Sequence, residues 1–263
     1  MFYDNIIKRY IFRKNFLKRV KMRLSIEKRK MFRDEIEDMK DLFQALNKEP
    51  QHIFDCGANI GFVTHTFLQH FPNAQVHAFE PNPLVFNQFN SAHGAKPNVK
   101  AHNKGIGKTK GSLTFHINKN SGTSSFLDAN SYHKLNYANK DIEEKMVEVV
   151  GVGEYMTENN IPVLDILKLD IEGFELEALK GIENIADRVN VIYTEVNLIP
   201  TYEGQPLIND IINYLQQNKF HIWNIYGINE NKYHQASITN LVLISDKFKN
   251  ELKSKVGDKY FGY

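Results

Sequence analysis

The apolar positions change rhythm at Pro50. Before it, Phe32, Ile36, Met39, Phe43 and Leu46 recur at 4-3-4-3 spacing, and no Gly or Pro interrupts the first 48 residues. That spacing predicts one apolar stripe on a helix, packed on the rest of the chain. Residues 2–24 read as a less clean helix: Phe2, Ile6, Tyr10, Leu17, Val20 and Leu24 share a face that Phe12 and Phe16 widen. After Pro50, short apolar runs alternate with helical stretches, which predicts a parallel sheet covered on both faces. The expected strands are His52–Cys56, Gln75–Phe79, a segment near Val99–Asn103, Ser112–Ile117, Lys145–Val150, Leu164–Leu169 and Val191–Thr194. The expected helices are Phe62–Phe71, a short one over 154–160, Glu172–Lys180 and Leu207–Asn218. Phe220–Tyr226 and Leu241–Ser245 suit a closing hairpin, and the polar stretch Asn118–Lys140 reads as a loop or lid.

The organisation expected from this pattern is a helical extension over 1–48, a domain over 49–247 and a tail over 248–263. Charge sharpens the first boundary. Residues 1–33 carry twelve Lys and Arg against two acids, a net of +10, and the remainder carries −8. A basic helix with aromatic and aliphatic residues suits peripheral contact with an anionic membrane. A solvated helix, or one docked on a partner subunit, is the other reading. With one cysteine in 263 residues there is neither an internal disulfide nor a multi-cysteine metal site. Charges interrupt every apolar run long enough for a span or a secretory leader, so the expected location is cytoplasmic, with peripheral membrane contact through the arm. The acidic body, with no basic aromatic-rich stretch near the glycine loop, argues against nucleic acid.

Candidate chemistry lies at strand ends. Asp55-Cys-Gly-Ala-Asn-Ile-Gly61 follows the first apolar run and precedes a helix. Glycines at 57 and 61 allow a sharp turn and a close approach to a ligand, with the free N–H groups of the next helix facing it. Glu80 ends the second strand, where an acid accepts from ribose hydroxyls. The glycine spacing does not fit the G-x-G-x-x-G of dinucleotide sites. Asp55, unfavourable beside a pyrophosphate, suits the amino group of a methionine moiety, or else braces the loop. Asp55, Gly57, Asn59, Gly61, Glu80 and Asp170 are therefore the expected cofactor residues, and S-adenosylmethionine the expected cofactor. A nicotinamide-dependent oxidoreductase and a non-catalytic binding protein of the same fold are the competing readings.

Four blocks in order carry a resemblance: Phe54–Gly61, Ala78-Phe-Glu-Pro-Asn-Pro83, Gly122-Thr-Ser-Ser125 and Asp165-Ile-Leu-Lys-Leu-Asp-Ile-Glu-Gly-Phe-Glu175. Over roughly residues 50–245 the chain resembles the FkbM family of S-adenosylmethionine-dependent methyltransferases. The resemblance implies a Rossmann-like class I methyltransferase fold, a seven-stranded mostly parallel sheet with helices on both faces and an antiparallel last strand. It implies methyl transfer to oxygen on glycans, glycolipids or related metabolites, with S-adenosylhomocysteine as product. Two departures stand out. Cys56 replaces the usual valine, a neutral exchange for a buried position. Gly151-Val-Gly153 replaces Thr-Leu-Asp, which is expected to weaken a helix cap and loosen the segment.

Asp170, Glu172 and Glu195 are the expected catalytic residues, because carboxylates at adjacent strand ends can orient an acceptor hydroxyl and take its proton. With Asn197 they are also oxygen types that suit Mg²⁺, but a metal is not favoured and no metal ligand is assigned. His65, His70, His93, His102, His116 and His133 show no ligand spacing. Ser124 and Ser125 suit either a ligand contact or a turn. Tyr132, Tyr137 and Tyr202 have the ring type that stacks on a sugar. The acceptor and the oligomeric state are not written in the sequence.

Overall fold

The computed structural model describes residues 34–137 and 143–257. The basic arm over 1–33, with Phe32 and its expected membrane contact, lies outside the described residues, as do residues 258–263 of the expected tail.

The first described helix, α1 (Glu35–Ala45), starts where Asp34 accepts from the Glu37 N–H at 2.7 Å, and acids fill its first turn. Ile36, Met39, Phe43 and Leu46, the expected stripe, are buried. Each such side chain contributes about 1.5–3 kcal/mol when removed from water. Then follow β1 (His52–Cys56), α2 (Phe62–His70), β2 (Gln75–Phe79), α3 (Pro83–His93) and β3 (Val99–His102). Helix α3 starts with Asn82 accepting from Leu84 N and proline at its first position, where no N–H is needed.

Next come β4 (Gly105–Gly107), β5 (Gly111–Ile117), a 3₁₀ turn at Ser121–Thr123, α4 (Ser131–Tyr137), β6 (Glu143–Gly151), α5 (Val152–Glu158) and β7 (Leu164–Leu169). The chain ends with α6 (Glu175–Lys180), a 3₁₀ segment at Glu183–Arg188, β8 (Val189–Asn197), α7 (Ile208–Gln217), β9 (Phe220–Glu230), β10 (Ala236–Ser245) and α8 (Asp246–Val256).

Seven strands form one sheet in the order β3-β2-β1-β7-β8-β10-β9. All pairs from β3 to β8 are parallel, and β10 runs antiparallel to both β8 and β9. The order reverses direction between β1 and β7, which opens a crevice at their carboxyl ends. One core, with Phe54, Leu167, Ile192 and Leu215, fills the face under α5, α6 and α7. The other, with Met39, Phe43, Phe67 and Phe248, fills the face under α1, α2 and α8. The region expected as a tail from 248 is thus a docked helix up to Val256: Phe248 lies 5.1 Å from Phe43, ring to ring.

A second sheet, β4-β6-β5, sits beside the crevice. Here the glycines at 151 and 153 do not loosen the chain. A side chain at Gly151 would meet the Lys108 carbonyl at 2.6 Å, and Gly153 N donates to Gly181 O at 3.1 Å. Gly181 O thus takes an N–H that a cap would accept, and Glu154 reaches back to accept from Gly151 N and Lys110 N. The expected lid is also more ordered than a loop: Ser121–Thr123 and Ser131–Tyr137 are helical turns.

Candidate active site

A cleft opens at the carboxyl ends of β1, β2, β7 and β8. Gly57, Asn59 and Glu80, at the ends of β1 and β2, and Asp170, Glu172 and Glu195, at the ends of β7 and β8, line it together. Ser121, Gly122 and Ser124 form a wall, and Phe79, Ile106, Phe115, Phe126 and Ile171 supply apolar surface. Of these, Ile106 and Phe126 lie outside every expected strand and motif block. Phe126 directly follows the Gly122–Ser125 block, which was the available signal.

The loop after β1 is fixed by backbone. Gly57 has φ 77° and Gly61 φ 93°, and Asn59 is left-handed at φ 48°. The N–H groups of Gly57 and Ala58 both donate to Phe79 O at 3.0 Å, which joins the loop to the end of β2. Glu80 completes the join: Oε2 accepts from Asn59 N at 2.9 Å and Oε1 from Asn82 N at 2.8 Å. Burial raises the Glu80 carboxyl to about 7, against the pull of those two N–H groups. Each oxygen keeps a lone pair for a hydroxyl donor.

Asp55 is fully buried and does not line the cleft. Its Oδ2 accepts from Thr64 Oγ1 at 2.6 Å, and its Oδ1 pairs with Lys168 Nζ at 3.1 Å. It braces the loop, through a hydroxyl and an ammonium. Lys168 also donates to Gly57 O at 2.9 Å and lies 3.5 Å from Asp170 Oδ2. Burial works against its charge, but Asp55 and Asp170 outweigh that and hold the ammonium above the usual lysine range.

Asp170, Glu172 and Glu195 bring one oxygen each within 4.8 Å of the others. Burial first, then the neighbouring carboxylates, pushes Glu172 and Glu195 well above the ordinary carboxylate range. Glu172 is left-handed at φ 54°, and its Oε2 lies 3.0 Å from the Tyr202 hydroxyl. Asn197 is buried and outside the cleft lining.

Among the other candidates, Ser125 Oγ donates to Glu172 O at 2.7 Å, and Ser124 Oγ accepts from Asn118 N at 3.0 Å. Both serve the wall. His116 reaches Asp128 and Glu144, and the His133 ring packs 4.9 Å from the Tyr202 ring. Tyr202 is 2% exposed and offers no stacking face.

The strand order and the cleft define the class I methyltransferase fold, Rossmann-like with an antiparallel strand added. Residues 55–222 match the Methyltransferase FkbM domain, and the chain belongs to that family. It is 28% identical over 163 residues to the hexuronic acid methyltransferase AglP of Haloferax volcanii, covering 60% of this chain and 62% of that protein. It is 24% identical over 183 residues to the 2-O-methyltransferase NoeI of Sinorhizobium fredii, covering 67% and 75%. Among solved structures it resembles the magnesium protoporphyrin IX methyltransferase ChlM of Synechocystis at 13% identity and TM-score 0.45, covering 80% and 78%. The chain thus spans less than two thirds of the length of the first of these relatives. No helix among the described residues is long and apolar enough to cross a membrane.

Proposed function

We propose that the chain is an S-adenosylmethionine-dependent methyltransferase that methylates a hydroxyl of a glycan, glycolipid or related metabolite. One observation carries this reading. A single cleft is lined by Gly57, Asn59 and Glu80 from the ends of β1 and β2 and by Asp170, Glu172 and Glu195 from the ends of β7 and β8. That juxtaposes a cofactor half and an acceptor half. The cofactor half fits the group: a backbone too close-packed for any side chain at Gly57, and an acid at the end of β2 with lone pairs to spare. AglP and NoeI, a hexuronic acid methyltransferase and a 2-O-methyltransferase, support a carbohydrate acceptor.

When bound, S-adenosylmethionine supplies an electrophilic methyl group. Glu80 accepts the ribose hydroxyls, and Gly57, Asn59 and Gly61 hold the loop against the ligand. Asp55 keeps that loop in place from beneath. Asp170, ion-paired to Lys168, orients the acceptor at the cleft. Glu195 takes the hydroxyl proton, because a carboxylate with a raised pKa is a better base near neutral pH than an ordinary one. The acceptor oxygen would gain the methyl group as the carbon–sulfur bond breaks, its proton would pass to Glu195, and the bonding pair would stay on the sulfur of S-adenosylhomocysteine. The basic segment 1–33 gives the enzyme peripheral contact with anionic membrane, and deleting residues 1–24 should weaken vesicle binding without changing cofactor affinity.

Thermal shift with S-adenosylhomocysteine and with NAD(P) tests the cofactor, since a ligand of the folded state raises apparent stability. Stabilisation by NAD(P) alone overturns the reading. Mass spectrometry of a glycan-containing extract incubated with S-adenosylmethionine then identifies the compound that gains a methyl group. Asp170→Asn and Glu195→Gln should each lower that turnover by roughly 10²–10⁴-fold.

A further inference from the structure

Tyr202 lies buried on the connection between β8 and α7, and its hydroxyl has two neighbours. It is 2.9 Å from the Thr123 carbonyl oxygen and 3.0 Å from Glu172 Oε2. A phenol carries one hydrogen; a carbonyl oxygen and an ionised carboxylate carry none to give. With Glu172 ionised, one of these two contacts sets bare oxygen against bare oxygen. With Oε2 protonated, both become hydrogen bonds. The carboxylic acid donates to Tyr202, and Tyr202 donates to Thr123.

The groups around Glu172 agree with that count. Glu195 faces it from β8, Asp170 from the end of β7 and Glu175 from α6, all carboxylates. Lys168, the nearby cation, is turned to Asp55 and Asp170. The main chain of Glu172 is tied to the same wall, since its carbonyl accepts from Ser125 Oγ at 2.7 Å. The wall segment Ser121–Ser124 lines the cleft. Its Thr123 carbonyl also accepts from Asn118 Nδ2.

We propose that Glu172 is a protonated positioning residue: through Tyr202 it latches the Ser121–Ser124 wall to the end of β7, and it is not the base. This extends the methyl-transfer reading by removing one of its candidate bases, and its test needs no acceptor.

Glu172→Gln keeps the size of the side chain and offers an amide hydrogen where the acid has its proton. An infrared difference spectrum, wild type minus Glu172→Gln at neutral pH, should show the carbonyl stretch of a protonated carboxylic acid. S-adenosylhomocysteine affinity by calorimetry should stay within about twofold of wild type in Glu172→Gln and fall roughly tenfold in Glu172→Met and Tyr202→Phe, the worth of one hydrogen bond. Thermal unfolding should rank the four proteins in the same order. It tests the latch independently should the cleft bind a different ligand. An ionised carboxylate signal in place of the acid overturns the proposal. So does a Glu172→Gln protein as impaired as Glu172→Met.

Discussion

Lys168 Nζ lies 3.1 Å from Asp55 Oδ1, and the two side chains are 2% and 0% exposed. The ammonium also donates to the carbonyls of Cys56 and Gly57. One cation therefore joins the end of β7 to the end of β1 beneath the glycine loop. Removing it leaves a buried carboxylate without its cation, held among the described residues by the Thr64 hydroxyl alone, so Lys168→Met should cost about 3–5 kcal/mol in urea unfolding. Adding Asp55→Asn should recover much of that loss. Two single losses that sum to the double within about 0.5 kcal/mol would show that the pair is not coupled.

Gly57 combines a left-handed backbone with a missing side chain. A Cβ there would stand 1.8 Å from the Asp170 carbonyl oxygen, at φ 77°. Gly57→Ala must push the loop away from β7 and accept strain of about 1–3 kcal/mol. S-adenosylhomocysteine binding should weaken at least roughly tenfold, read by calorimetry on protein with an unchanged circular dichroism spectrum. Gly111→Ala is the control: nothing lies within 4 Å of its added methyl group. Its stability should stay within about 0.5 kcal/mol of wild type.

His77 Nδ1 is 2.9 Å from the Tyr155 hydroxyl, which is 2.8 Å from His102 Nε2. Burial, then Lys100, His52 and His102, lowers His77 to about 3 from an ordinary 6.5. Between those values the unfolded chain holds a proton that the folded chain does not. Stability is therefore full above pH 6.5 and falls as pH drops towards about 3, at about 1.4 kcal/mol per pH unit for this one proton. Glu80 and Glu175, raised by burial to about 7, act in the opposite sense, since the folded chain holds their protons longer. They are common to both proteins when wild type is compared with His77→Gln. Urea titrations at several acidic pH values should show a shallower slope for the variant; equal slopes would mean that His77 does not carry the effect.

Met39 is 0% exposed in α1. Met39→Ala should cost about 2–5 kcal/mol if α1 belongs to the same cooperative unit as the sheet. A loss below about 0.5 kcal/mol in chemical unfolding would make α1 a detachable appendage.

The sheet was legible where apolar runs end at punctuating residues. Gln75–Phe79 and Leu164–Leu169 form strands with the expected bounds, because Glu80-Pro81 and Asp170 stop them. Helix α8 was not legible, since Phe248 and Leu252 are its two buried apolar residues among charges. The residue types at the strand ends were readable, but not the way their side chains point. Asp55 turns inward to Thr64 and Lys168. Lys168, like Asp165, is a charged position inside the otherwise apolar strand Leu164–Leu169. A lone lysine in a strand covered on both faces needs a buried partner, and that was the signal to follow. The meeting of Tyr202 with Glu172 has no local pattern, because it depends on the path of the chain between β8 and α7.

Glycine commonly marks where a chain can bend, and beside the small sheet it has the opposite effect. A side chain on Gly181 would meet Gly107 O at 2.9 Å, one on Gly151 would meet Lys108 O at 2.6 Å, and Gly153 is bonded to Gly181. Main chain rests directly on main chain, without compressible side chains between. The small sheet is therefore clamped to the body, backbone against backbone. Enlarging any of these glycines would shift the small sheet, and with it the cleft surface that Gly105, Ile106 and Phe115 supply.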